Sequence, residues 1–580
     1  MTSPALPDPP AAPSGISIRR VAIRNFRCID DLQLELEPGT TYLVGENNAG
    51  KTSILLALWS ALGNRRPVDD DLRRTPDDSA VGDAVVDVFL VPPRGQRFAT
   101  ELRQRLVYVQ RDPSKGTEVV GIRTVFHPSR EGAALSTRRS FLQPGADGNW
   151  TPVNAPRMPQ DLMARLEAHL LDASRDLVDE RGNRTSIWGR VLADLQIEQH
   201  PEQGVGREAL EQDLADLARR VRDSSPVLRT LQSDLGGIAE AQASVGRVEV
   251  QPLPPRLEEL ARTAEVVLHQ PRQPVLPLRQ HGLGSRSLAT LLVFQTLAKL
   301  RLGADRGFQP QLLTLLEEPE AHLHPQAVFA LRGLLDRLPG QRIVSTHSSQ
   351  LVADADPRSV RLIRRSANSI RVLALPPDTA KRVLQFRRLV ERPFGEIIFA
   401  RALVLCDGST DRYVLPTLLS GYFRCNPAGL GISFVDCGPM NQPHTMSIIR
   451  AAHDLELPWL AFTDRDPAGI RALRSLINPA TGKPLEPDSD EVVMSGGKQV
   501  EQLLIDAGYT EEVEQVADQE GIPLGTGDRR HLKFLADNKP WASEQVAIRA
   551  READKPLPEP VIVLARKLER LPGVPSEARG

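Results

Sequence analysis

Two groups of residues have the types and spacing to do chemistry. The first is Gly45-Glu46-Asn47-Asn48-Ala49-Gly50-Lys51-Thr52, which fits the phosphate-binding pattern G-x-x-x-x-G-K-[ST]. Its glycines let backbone N–H groups wrap phosphates, its lysine offers a point charge to the β and γ phosphates, and its hydroxyl ligates Mg²⁺. Gly45, Asn47, Asn48, Gly50, Lys51 and Thr52 are therefore the candidate nucleotide contacts. Far downstream, the apolar run Q-L-L-T-L-L ends in Glu317-Glu318-Pro319-Glu320. Acidic groups at the tip of a buried strand can hold Mg²⁺ and polarise an attacking water. Metal support falls to Glu317 and the general base to Glu318. A later strand, R-I-V-S, delivers Ser345-Thr346-His347, so that the His347 imidazole can sense a γ-phosphate. His322 and His324, which could suggest a zinc pair, are read as structural.

The second group is wholly acidic. R-A-L-V-L-C runs into Asp407-Gly408-Ser409-Thr410-Asp411, and W-L-A-F-T runs into Asp464-Arg465-Asp466. Clusters at the carboxyl ends of two strands lie where open α/β sheets gather ligands. Such carboxylates repel one another unless a divalent cation intervenes, and hard oxygen donors suit Mg²⁺ or Mn²⁺. One or two ions there can activate water, clamp a phosphodiester and stabilise the leaving oxygen. Phosphodiester hydrolysis is the chemistry that fits, with Asp407, Asp411, Asp464 and Asp466 as catalytic and metal-binding candidates.

The elements that must position these groups follow from periodicity. I-S-I-R-R-V-A-I, L-Q-L-E-L and T-Y-L-V read as three strands, and S-I-L-L-A-L-W-S-A-L after the glycine loop as a helix. Residues 84–150 read as further strands, among them A-V-V-D-V-F-L and E-L-R-Q-R-L-V-Y-V. The order is that of an α/β nucleotide-binding core with an antiparallel edge. The expected organisation is a disordered tail at 1–15, a first ATPase part at 16–157 and a charged helical insertion at 158–270 that serves dimerisation. A second ATPase part follows at 271–395, and the acidic domain with a helical C-terminal region at 396–580.

N-F-R ahead of the glycine loop, E-E-P-E-A-H-L-H-P and S-T-H-S resemble the ABC-type ATPases related to recombination and chromosome-maintenance proteins. That resemblance implies a composite site between two subunits, completed by a signature segment. Gly282-Leu283-Gly284-Ser285-Arg286 is its counterpart, with Ser285 as the nucleotide contact, and the working unit is a homodimer or larger. The paired acidic clusters resemble the Toprim domain, so the expected fold is α/β: an ABC-type P-loop ATPase with a helical insertion, then a Toprim α/β domain. The whole resembles the overcoming-lysogenisation-defect nucleases, including Gabija-type A subunits. This implies an ATP-binding, nucleotide-regulated, metal-dependent DNA endonuclease of bacterial antiphage defence or DNA processing, with a helicase-like or other defence protein as a further partner. The same resemblance assigns Glu501 as a further acidic ligand and Lys539 as the lysine facing the scissile phosphate, with Lys533 its rival. One departure is Asp407, where the family usually has Glu. Its carboxylate sits about one methylene short, and misplacement of an ångström can cost about 10²-fold in rate. A DNA-binding ATP clamp with an inactive Toprim domain is the alternative.

Bulk properties narrow the rest. A net charge of −2 argues against a histone-like mode of binding, and 41% apolar with 25% charged residues is ordinary for a globular chain. Aromatics at 4% speak against a base-stacking platform and for backbone contacts to duplex DNA. Five tyrosines without a cleavage context and four unpaired-by-spacing cysteines disfavour topoisomerase and primase readings. The N-terminal segment lacks a signal-peptide pattern and no apolar run reaches the ~18 residues of a membrane span. A cytoplasmic protein that does not engage membranes is the expectation.

Overall fold

In Ile29–Glu35 (β2) the apolar Ile29, Leu32 and Leu34 are buried and the polar residues exposed, with Leu32 and Leu34 in the period-two alternation of a half-covered strand. It pairs antiparallel with Ser17–Phe26 (β1), and the sheet continues through Ala84–Val91 (β4), Glu118–His127 (β6), Ser136–Pro144 (β7) and Trp150–Pro152 (β8). Gln110–Arg111 (β5) pairs with β6 off this path. The computed structural model describes residues 15–172, 207–230, 267–268, 276–303, 311–386 and 397–574, short interruptions within these ranges aside. The expected tail lies almost wholly outside them, as does much of the stretch read as a dimerisation insertion.

A second sheet carries the glycine loop. Its order is β15-β14-β3-β13-β12-β9, with Thr40–Val44 (β3) parallel to both Gln341–Thr346 (β13) and Val360–Arg365 (β14). Gln311–Glu317 (β12) runs parallel to β13, and Ile370–Leu373 (β15) closes the edge antiparallel to β14. The first six residues of β12, Q-L-L-T-L-L, are buried, which explains why this strand reads as a near-continuous apolar run rather than as alternation. The antiparallel strands between residues 17 and 152 thus form a sheet of their own, and the antiparallel edge of the nucleotide-binding sheet is β15.

Two details differ from the sequence reading. Thr100–Leu106, inside a stretch read as strand, is a helix, because Leu102 and Leu106 stand four apart and bury together while Arg103 and Arg105 face outward. Leu166–Leu171 (β9), inside the stretch read as helical, is a strand whose buried positions include Leu166, Ala168 and Leu171.

The third sheet, β17-β16-β18-β19, is all parallel: Ala402–Cys406 (β16), Ile432–Asp436 (β17), Trp459–Thr463 (β18) and Val492–Met494 (β19). Val404, Leu415, Leu460, Phe462, Val546 and Leu564 belong to the apolar core that fixes its covering helices. The chain divides into two compact units. One comprises Met1–Leu170, Leu313–Glu318 and Gln341–Gly580, and so holds both the glycine loop and the third sheet. The other comprises Leu171–Leu312 and Pro319–Gly340. Within it, helices Leu283–Gly303 and Pro325–Arg337 are tied by Gln295, whose Nε2 donates to the Arg337 carbonyl at 3.0 Å. Among the described residues no helix is long and apolar enough to cross a membrane.

Candidate functional site

The glycine loop joins β3 to the Lys51–Leu62 helix, and its backbone explains its composition. Gly45 (φ 158°) and Gly50 (φ 103°) take positive φ, and a Cβ at Gly45 would lie 2.3 Å from the Ile363 carbonyl oxygen. At Gly50 it would lie 2.5 Å from Ile370 Cδ1. Asn48 also takes positive φ, which asparagine tolerates better than most residues. Buried Lys51 donates its Nζ protons to the carbonyls of Gly45 (2.9 Å) and Glu46 (2.8 Å), so the lysine is folded back on its own loop.

The parallel register sets the rest. Leu43 and Val44 of β3 lie beside Ser345 and Thr346 of β13, and Glu317 at the end of β12 lies beside Ser345. Three strand ends therefore meet at the loop. Thr52 Oγ1 hydrogen-bonds Glu317 Oε1, and His347 Nε2 lies 3.4 Å from Glu318 Oε1. Glu318 holds a left-handed backbone (φ 41°), anchored by its N–H to the Ser345 carbonyl at 3.0 Å. Strain of this kind, held by the surrounding strands, aims a side chain. Thr52, Glu317, Glu318 and His347 are thus brought together. Ser285, in the first turn of Leu283–Gly303, belongs to the other unit. His324 caps Pro325–Arg337, accepting from Gln326 N at 3.4 Å, a structural use.

The sequence reading passed over a pocket of about 150 Å³ lined by Arg27, Cys28, Arg73, Arg74, Arg365, Ser369 and Ile370. It adjoins the loop, since Ile370 and Cys28 flank Gly50 and Arg365 Nη1 donates to the Asn48 carbonyl at 3.3 Å. Only Arg27, in N-F-R, had a signal in the sequence; the other arginines are gathered by folding.

In the third sheet, Cys406 of β16 pairs with Phe462 of β18, so Asp407 emerges beside Thr463 and Asp464. Asp407 Oδ2 accepts from Thr463 Oγ1 at 2.6 Å and Asp464 N at 3.4 Å, and Oδ1 accepts from Met440 N at 3.1 Å. Asp464 Oδ1 accepts from Ser495 Oγ at 3.0 Å. Glu501, buried, accepts from Thr410 Oγ1 at 3.2 Å and lies 3.5 Å from Lys539 Nζ. Lys539 rather than Lys533 is therefore the lysine at the cluster. Asp466 caps the Pro467–Arg474 helix, accepting from Gly469 N at 2.6 Å, which engages one of its oxygens. Thr463, Ser495 and Thr410 were missed, because a hydroxyl beside a carboxylate leaves no spacing pattern.

Crowding marks this cluster. Burial, then the charges of Asp464, Asp407 and Glu501, push the Asp411 carboxyl well above its ordinary range. Burial raises Asp464 as well, reinforced by Asp407, Asp466 and Glu501 against the Ser495 hydrogen bond. Asp407 is raised by burial and by Asp466, against the bonds from Thr463, Asp464 and Met440. The donor set is all oxygen and short of cations, which fits a hard divalent ion. Among the described residues no three acidic, His or Cys side chains converge on one point, so ligation requires side-chain rotation.

Direct contacts join the two sites. Arg401, immediately before β16, pairs through Nε with Glu46 of the glycine loop at 2.8 Å. Arg364 Nη1 donates to the Glu456 carbonyl and Arg371 Nη1 to the Glu456 carboxylate, both at 2.7 Å, while Thr379 Oγ1 donates to Asp454 at 2.9 Å.

Three family models match parts of the chain. Residues 17–88 match the AAA ATPase domain, residues 278–389 a protein family of unknown function (DUF2813), and residues 398–466 the overcoming lysogenization defect protein-like TOPRIM domain. The chain is 26% identical over 480 residues to the OLD nuclease of Thermus scotoductus, covering 77% of this chain and 82% of that protein. It is 22% identical to the Old nuclease of Escherichia phage P2, covering 73% of each. Among solved structures, the Smc head domain of Pyrococcus furiosus shares 15% identity at a TM-score of 0.34, over 64% of this chain and 100% of that one.

Proposed function

From a chain homologous to the OLD nucleases, joining an AAA ATPase domain to an OLD-like Toprim domain, we infer a metal-dependent DNA endonuclease under nucleotide control. The observation that carries the nuclease reading is the crowding of Asp407 and Asp464, at the ends of adjacent parallel strands, with Asp411 and Glu501 in the first turns of two helices. Asp407, Asp411, Asp464 and Glu501 would hold one or two Mg²⁺ or Mn²⁺ ions, with Asp466 contributing its second oxygen. Bound there, the cations supply a Lewis acid for the phosphodiester and an activated water. Thr463 and Ser495 orient the carboxylates, and Lys539 stabilises charge developing on the scissile phosphate.

At the other site ATP lies on the glycine loop. Lys51 exchanges its loop carbonyls for phosphate oxygens, Thr52 and Glu317 support Mg²⁺, and Glu318 accepts the proton of the attacking water while His347 senses the γ-phosphate. The arginine pocket takes the rest of the nucleotide. Ser285 of a second copy completes the site in a homodimer. Double-stranded DNA is the substrate, and antiphage defence or DNA processing in the cytoplasm the setting, with a helicase-like or other defence protein as a further partner.

Nucleotide control rests on Glu46. A phosphate arriving on the loop changes the field at the Glu46–Arg401 pair, and Arg401 leads directly into β16, whose far end is Asp407. The helical stretch around residues 380–400, which the sequence also offers as a link between the two domains, includes residues 387–396, which lie outside the described residues. The test is cleavage of plasmid and linear DNA at fixed free Mg²⁺, with ATP, ADP, a non-hydrolysable analogue or no nucleotide. Cleavage in none of these arms would favour the second reading, an ATP clamp with an inactive Toprim domain, which the unconverged carboxylates and Asp407 support.

A further inference from the structure

Two large aromatic side chains stand exposed in the Toprim region, Tyr413 at 44% and Trp541 at 38%. They lie near the starts of helices Ser409–Phe423 and Trp541–Glu552. These helices run parallel: Arg551 Nη1 donates to Ser420 Oγ at 3.1 Å near their carboxyl ends, and Thr410 and Lys539 both meet Glu501 at their amino ends. Tyr413, Thr417 and Ser420 follow i, i+4, i+7 along one partly exposed stripe, and Trp541, Glu544, Ile548 and Arg551 follow i, i+3, i+7, i+10 along another. The Arg551–Ser420 contact shows that the two stripes adjoin. At 1.5 Å per residue, Tyr413 lies about 10 Å and Trp541 about 15 Å up-axis from that contact, so the rings differ by only about 5 Å in level. Both flank the end of the pair where Glu501 and the exposed ammonium of Lys539 sit.

We propose that Tyr413 and Trp541 form a stacking platform for an unpaired base adjoining the phosphate held at the carboxylates. The inference rests on the nuclease reading of that cluster and adds a substrate class to it: DNA with an unpaired nucleotide at the cut, rather than fully paired duplex. An exposed indole and phenol gain by covering their faces, and a base offers a flat π surface of matching size whatever its sequence. The adjacent Lys539 suits the phosphate of the same nucleotide. Low overall aromatic content does not weigh against this, because a platform needs two rings in the right place.

The test uses the full chain and fluorescein-labelled duplexes, one blunt and one with a short unpaired 3′ end, with Ca²⁺ as the divalent ion and anisotropy as the readout. Trp541→Ala and Tyr413→Ala should each weaken binding of the unpaired-end duplex by about 5- to 100-fold and of the blunt duplex by less than about twofold. Trp541→Phe should retain most of the affinity, separating stacking from loss of fold. Alanine variants that bind both duplexes as the parent does, or a phenylalanine variant as weak as alanine, would overturn the platform alone. A parent chain that binds neither duplex would remove the nuclease reading, and the platform with it.

Discussion

The two sites solve opposite electrostatic problems. In the glycine loop, charged and polar groups are already matched: Lys51 with two carbonyls, Thr52 with Glu317, Glu318 with His347, Glu46 with Arg401. In the Toprim cluster, buried carboxylates face one another, and their proton affinities rise as a result. The first site can hold its shape before a ligand arrives, and the second needs a cation or protons to relax. A fused chain thereby carries one site with its charges already paired and one with its charges opposed.

The sharpest way to break this comparison is Glu318→Gln, which keeps the shape of the matched site but removes its base. ATP hydrolysis should slow by about 10²- to 10⁴-fold with nucleotide affinity unchanged, as phosphate release and calorimetry would show. Parental hydrolysis would move the base to Glu320. Asp464→Ala addresses the other side: metal-dependent cleavage should fall by about 10²- to 10³-fold while ATP binding survives. Cleavage at the parental rate in a nuclease-free preparation would remove Asp464 from the site.

The contrast in charge has its own signature with pH. Asp411 binds protons more tightly folded than unfolded, so its contribution favours the folded state least once pH has risen through its folded pKa and is nearly silent below the ordinary carboxylate range near ~4. Asp411→Asn in metal-free buffer should therefore raise Tm at pH ~8 by about 2–4 °C per kcal/mol relieved, with little change at pH ~4. Mg²⁺ should stabilise the parent at the higher pH and the variant less. An equal Tm for parent and variant across this range would mean that the cluster is not strained. The smallest effect belongs to the link. Arg401 and Glu46 are exposed, so their pair is worth no more than about 1 kcal/mol, and Arg401→Ala should shrink the response of cleavage to ATP by about fivefold at most. An unaltered response would place the coupling elsewhere.

What the sequence disclosed was whatever is local. The glycine loop, the acidic strand ends and the strands beneath them are contiguous runs whose periodicity and composition carry the signal, and β3, β12, β13, β16 and β18 follow them. Contacts made across the chain were silent. Thr463, Ser495, Arg73, Arg365 and the Glu46–Arg401 pair become meaningful only when register sets one strand end beside another. Short elements were misread for a related reason: Thr100–Leu106 and Leu166–Leu171 hold too few residues for a helical or strand period to separate from noise, and packing decided them.

The order of the second sheet also dictates how the chain must be made. Among the described residues β3 pairs with β13 and β14 alone, and the Arg342–Thr40 contact that ties it to β13 spans 302 residues. At ribosomal rates of about 5–20 residues per second, β3 waits about 15–60 s for a neighbour. The antiparallel sheet of β1, β2, β4, β6, β7 and β8 is complete long before then, because all these strands precede residue 153. The nascent protein therefore passes through a stage in which a finished sheet carries an unpaired apolar strand, T-T-Y-L-V, at its side. Any fragment ending before residue 341 is held at that stage, so the nucleotide site can come into being only when β13 arrives, long after its first residues are translated.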